Sequence, residues 1–206
     1  MNPPNFDQKE SAVTNLSTRL FTVSLYCTDL LEAELEGKFL KGKNTYQEEW
    51  IKVLFEFMFF FMHLVQRSAL QQLGEEKRNK LVDALFPVMI NEAAELVLRD
   101  LPEEKRLQYK KEAREHFNRS ELNYSKCREF FLDRKDDVGT VNKIAFGGSL
   151  KSKALINQLV DNLSEDLTGK INTDSFQLLK IRGLVVEILK KENFHDLVLK
   201  TSSEIR

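Results

Sequence analysis

Between Val53 and Val65 the chain carries Phe55, Phe57, Phe59, Phe60 and Phe61, with Met58 and Met62 among them, and few folds can absorb such a run. It holds five of the 15 phenylalanines. Successive aromatics suit a strand, yet helix formers continue to Gln72 and Gly74 supplies a stop. The spacing therefore predicts a helix over about 46–73, opened by a capping box of Thr45 and Glu48. Apolar side chains would leave that helix in nearly every direction, which requires other helices around it. The apolar run spans about 13 residues and includes Glu56 and His63, whereas a membrane span needs about 20 apolar residues. A buried helix is expected, with no membrane.

The rest of the chain supplies the surrounding helices. Val13, Leu16, Leu20, Val23, Cys27 and Leu30 recur at spacings of three and four, predicting a helix over about 10–36 that Gly37 ends. A third helix is expected over about 75–99, opened by Glu75 and Glu76, burying Leu81, Leu85, Val88, Met89 and Leu96, and kinked by Pro87. Asp100 and Pro102 read as cap and first turn of a fourth, charged from Glu103 to Arg119 and continuing toward Leu132. Its thin apolar line is Leu107, Ala113, Phe117, Tyr124 and Phe131. After a patternless stretch at 133–149, two more helices are expected at about 150–167 and 173–191, with a short tail helix possible in the spacing beyond.

This is an all-α, single-domain bundle of about six to seven helices covering 1–206, with the aromatic helix at its centre. A subdomain break is expected in 133–149, between a four-helix part (10–132) and a C-terminal helical part (150–206). Only 8 Gly and 4 Pro are present, few for the turns of a sheet protein. With 31 basic and 32 acidic residues the net charge is −1, and nothing in that balance points to nucleic acid or an anionic surface. Cys27 and Cys127 lie within apolar helical patterns, without a CxxC, and read as reduced, buried thiols. They agree with a cytoplasmic location, as does an N-terminus without the apolar stretch of a signal peptide.

One polar stripe crosses the aromatic helix. Glu49, Glu56 and His63 are seven apart and fall within about 40° of one another, and Arg67 joins them. The plainer reading is a water- or partner-facing edge, with Lys52 and Glu56 paired. The sharper one is a small-molecule or metal site in which burial shifts Glu56 or His63. Seven residues rise about 10.5 Å, so Glu56 and His63 would need separate partners, with Asp83, Glu92 and Glu95 as candidate donors.

Other chemistries find less to build on. A di-iron bundle needs two ExxH motifs, and the sequence has one, Glu192 to His195. His116 reads as part of a solvated face. There is no HExxH, GxSxG, GxxxxGK[ST] or GxGxxG, so no metal and no particular cofactor is implied. Ser149, Lys151 and Lys153, behind Gly147 and Gly148, form a candidate anion-binding helix start. The same stretch resembles a helix-turn-helix, with Ile144 and Ala145 before a glycine turn that comes about two residues sooner than usual. On that resemblance Lys151, Ser152 and Lys153 would face nucleic acid, through residues 142–160.

The functional expectation is a cytoplasmic protein acting through protein contacts, as scaffold, adaptor or regulatory subunit. Self-association would use the aromatic helix or the heptad-like first helix. The alternatives are a small-molecule or metal-binding enzyme along Glu49, Glu56, His63 and Arg67, and a nucleic-acid-associated protein using 142–160.

Overall fold

The structure, a computed structural model, describes residues 12–34, 48–127 and 155–166, together with 183–185, 187–188, 196 and 198–201. Five complete helices are described: α1 (Ala12–Glu34), α2 (Glu48–Leu73), α3 (Glu75–Leu96), α4 (Glu103–Ser125) and α5 (Leu155–Asp166). Among the described residues there is no strand, and the fold is an all-α bundle. The expected break at 133–149 and the capping Thr45 lie outside them.

α2 touches each of the other four helices, because its apolar residues point to all sides and each side needs a cover. Phe55, Phe57, Phe59, Phe60, Phe61, Met58 and Met62 are all buried. Phe59 illustrates the packing, with Phe55 and Phe86 stacked near it and the rings of His116 and Phe117 edge-on at 5.1 and 5.4 Å. Such ring pairs add to the burial of their area. By length and hydropathy the Glu49–Leu73 stretch could cross a membrane, with a mean hydropathy of 1.3, yet 83% of that window is covered by the protein itself.

α1 lies against α2 and α3 through Leu16, Leu20, Val23 and Cys27, as its periodicity predicts. Three buried hydroxyls on this face are satisfied locally or by α3. Ser24 and Thr28 donate to carbonyls one turn back, and Ser17, with its neighbour Thr18, donates to the Glu92 carboxylate, each at 2.5 Å. α3 runs through Pro87 without a break and buries Phe86, Ile90, Ala93 and Ala94 beside Leu81, Leu85 and Met89. Leu96, the last residue of the helix, faces out instead. Val88 is only half-buried.

Pro102 itself is the N-cap of α4, with no side-chain cap from Asp100. Its apolar line is shorter than expected: Ala113, Phe117 and Tyr124 are buried, but Leu107 is exposed. Arg114 covers the Phe86 ring at 4.6 Å, so a charged side chain closes part of the core. α5 packs on α2 and α4 with Leu155, Ile156, Leu159, Val160 and Leu163, and Val185, Ile188 and Val198 join the same core.

Gly74 joins α2 to α3 in one residue. Its φ of 80° and ψ of 176° form a backbone region open essentially to glycine alone. Its N–H closes α2 on the Leu70 carbonyl, while its own carbonyl accepts from Arg78 at the start of α3. Space is not the obstacle to a side chain, because a Cβ there would meet nothing within 4 Å. Gly74→Ala should therefore lower stability by about 1–3 kcal/mol through backbone strain alone, measured by urea unfolding. An unchanged midpoint would show that the turn relaxes freely.

Candidate functional site

The polar stripe of α2 faces α4 and α5. Glu56 is fully buried, and its two oxygens take four donors from two other helices. Oε2 accepts from Ser120 Oγ and meets His116 Nε2, both at 2.8 Å. Oε1 accepts from Asn162 Nδ2 at 2.7 Å and from the Tyr124 hydroxyl. His116, Ser120 and Tyr124 recur every four residues, which brings one side of α4 against this carboxylate. Asn162 is itself oriented, its Oδ1 accepting from Gln158 at 2.8 Å and from Asn123 at 3.4 Å.

Burial alone would push the Glu56 carboxyl up. The hydrogen bond and charge of His116, with the Tyr124 and Asn162 bonds, outweigh it and hold the carboxyl below the usual carboxylate range. Tyr124 moves the other way. Burial, then the neighbouring Glu56 charge, pushes its phenol well above the ordinary value, so it remains a donor.

Two turns along α2, His63 forms a second centre. Its Nδ1 lies 2.7 Å from Glu121 Oε1, and its Nε2 accepts from Arg67 Nε at 2.6 Å. Arg67 also donates through Nη2 to the carbonyls of Tyr124 and Cys127, at 2.9 and 2.7 Å, and so closes the last turn of α4. Tyr124 belongs to both centres, giving its hydroxyl to Glu56 and its carbonyl to Arg67. A continuous polar relay therefore runs Asn162, Glu56, Tyr124, Arg67, His63, Glu121.

Of the four residues of the stripe, the structure brings Glu56, His63 and Arg67 into this relay. Glu49 is half-buried and is not among the groups that meet Glu56. Glu56 and His63 do not converge on one centre, as their rise along the helix requires. Lys52 is not one of the Glu56 donors, which come from α4 and α5. Asp83 and Glu95 are exposed, and Glu92 bonds to α1, so none of these three supplies the stripe. His116 corrects the sequence reading most directly. Its side chain is only 10% exposed and lies against the buried carboxylate, not on a solvated face. The signal was the spacing of His116, Ser120 and Tyr124, hidden by the charged residues between them.

Ser149, Lys151 and Lys153, like Glu192 and His195, lie outside the described residues. Of 142–160 only 155–160 is described, and there Leu155, Ile156, Leu159 and Val160 face the core. No group of three His, Cys, Asp or Glu among the described residues could hold a metal ion. Comparison with family models, curated proteins and solved structures found no match to this chain.

Glu56 is held below its ordinary value of 4.5, so folding favours its charged form. The resulting stability is present above about pH 4.5 and is lost as the pH falls through the folded value. Glu56→Leu leaves four donors without an acceptor and is expected to cost about 3–5 kcal/mol at pH 7. Glu56→Gln should lose less stability than the parent between pH 5 and pH 3, by urea unfolding. Parallel pH profiles would exclude an ionised Glu56.

Proposed function

We propose that this chain acts through contacts with other proteins or a second copy of itself, as a scaffold, adaptor or regulatory subunit of the cytoplasm. The observation that carries this reading is the direction in which two kinds of side chain face. Glu56, His63, Arg67 and His116, the groups with chemistry to offer, spend hydrogen bonds on one another and on α4 and α5. Large apolar side chains stand outside: Tyr26, Leu70, Leu96, Leu107 and Leu122 are between 46% and 63% exposed. Leu96, Leu107 and Leu122 belong to α3 and α4, which pack side by side. A contiguous exposed apolar patch favours association, and these side chains are the candidates to form one.

α2 has little left to offer a partner, since its apolar faces are covered within the chain. A contact through α3 and α4 fits better than one through the aromatic helix. Cys27 and Cys127 are buried thiols outside any disulfide, which agrees with a reducing compartment.

A ligand-binding or catalytic seam is the second reading, favoured by the His116 imidazole held 2.8 Å from a buried carboxylate. Native mass spectrometry separates the two, because a copurifying small molecule would favour the seam. For the first reading, light scattering should find a dimer or larger species. Leu107→Glu combined with Leu122→Glu should shift it to monomer without loss of helical circular dichroism. A parent protein that stays monomeric at high micromolar concentration, and retains no protein partner, would overturn it.

A further inference from the structure

Arginine has only donors, so the atom that receives Arg67 Nε must be an unprotonated nitrogen. His63 Nε2 is that atom, and the remaining proton of a neutral ring then sits on Nδ1, facing Glu121 at 2.7 Å. The geometry fixes His63 as the neutral Nδ1–H tautomer. That one bond also aims the guanidinium, whose Nη2 reaches the Tyr124 and Cys127 carbonyls at the end of α4.

We propose that His63, Arg67 and the last turn of α4 form a proton-operated latch, closed while His63 is neutral and released when it is protonated. A proton on Nε2 would put two N–H groups and two positive charges 2.6 Å apart, a separation that only a donor and an acceptor sustain. Arg67 would leave, and the carbonyls of Tyr124 and Cys127 would lose their shared donor. Both carbonyls lie at the C-terminal end of α4, so the latch ties that end of the helix to α2.

The charged and titratable groups around His63 set its sensitivity. Glu121 and the Tyr124 ring face it from α4, Arg78 acts from α3, and Arg67 lies beside it on α2. Burial, then the Arg67 and Arg78 charges, oppose protonation, while Glu121 favours it; the balance holds His63 below its ordinary 6.5. The closed state is therefore favoured above about pH 6.5 and weakens as the pH falls from there toward the folded value. Glu56, a carboxylate held below 4.5, adds its own loss of stability only below about pH 4.5.

The thiol of Cys127 is a built-in reporter, and that of Cys27 an internal control. Both are buried, but Cys27 lies in the core face of α1, away from the latch. Labelling of the full chain with 4,4′-dithiodipyridine, referred at each pH to the urea-unfolded protein, reads their protection. Between pH 8 and pH 5 the protection of Cys127 should fall on the order of tenfold per pH unit below the unfolded histidine value, while Cys27 stays protected.

His63→Gln keeps one donor and one acceptor without a proton to gain, and should hold Cys127 protected at both pH values. Arg67→Ala should expose Cys127 at pH 8. A flat profile in the parent, the same fall in His63→Gln, or full protection in Arg67→Ala would each overturn the latch. Should the variants not fold, nitrogen-15 histidine spectra of the parent decide directly. A bare Nε2 at pH 8 supports the latch, and an Nε2–H form at pH 8 overturns it.

Discussion

A carboxylate with no access to water sits between three helices, and much of the arrangement follows from what it demands. An unpaired buried charge costs several kcal/mol, so Glu56 can remain ionised only if donors surround it. Its four donors come from two helices, and together they fix how those helices sit against α2. His116, Ser120 and Tyr124 set the register and rotation of α4, because only one face of that helix carries them. Asn162 sets the position of α5.

This demand solves a problem that the aromatic helix creates. A helix with apolar residues on all sides gains nearly the same burial in many rotations about its axis, and hydrophobic area alone does not choose among them. Glu56, His63 and Arg67 break that degeneracy, because only one rotation presents all three to the donors and carbonyls of α4 and α5. Burial of phenylalanine supplies cohesion and the polar relay supplies uniqueness. The charged character of α4 fits the same division of labour. A helix with few apolar residues has little hydrophobic energy to place it, so hydrogen bonds to α2 define its register.

The parts of the fold decided by local pattern were legible in the sequence. The 3.6-residue period of Leu16, Leu20, Val23 and Cys27 located the core face of α1, and Gly74 marked the single-residue turn because few other residues tolerate its backbone. Glu56, His63 and Arg67 stood out because polar groups in an apolar helix must have partners. The partners themselves were not legible. His116 looks like any residue of a charged surface until α4 is known to lie against α2, and that contact joins residues about 60 positions apart. Asn162 is 106 residues from Glu56, and no periodicity within one helix encodes such a pairing. Leu96 and Leu107 fit the helical spacing yet stand exposed, because the period within one helix does not encode which of its positions a neighbour covers.

The two ends of the relay are electrostatic opposites, and Tyr124 ties them together. At the inner end an acid is kept charged by donors, and at the outer end a base is kept neutral by burial and a neighbouring cation. Both conditions are met only when protons are scarce, so acidification acts against the relay at each end but at different pH values. The outer contribution begins to fall below about pH 6.5 and the inner one only below about pH 4.5. Releasing Arg67 takes one donor from the carbonyl of Tyr124, but the hydroxyl of the same residue remains bound to an ionised Glu56. The inner carboxylate thus keeps α4 tied to α2 through Tyr124 while Arg67 is released.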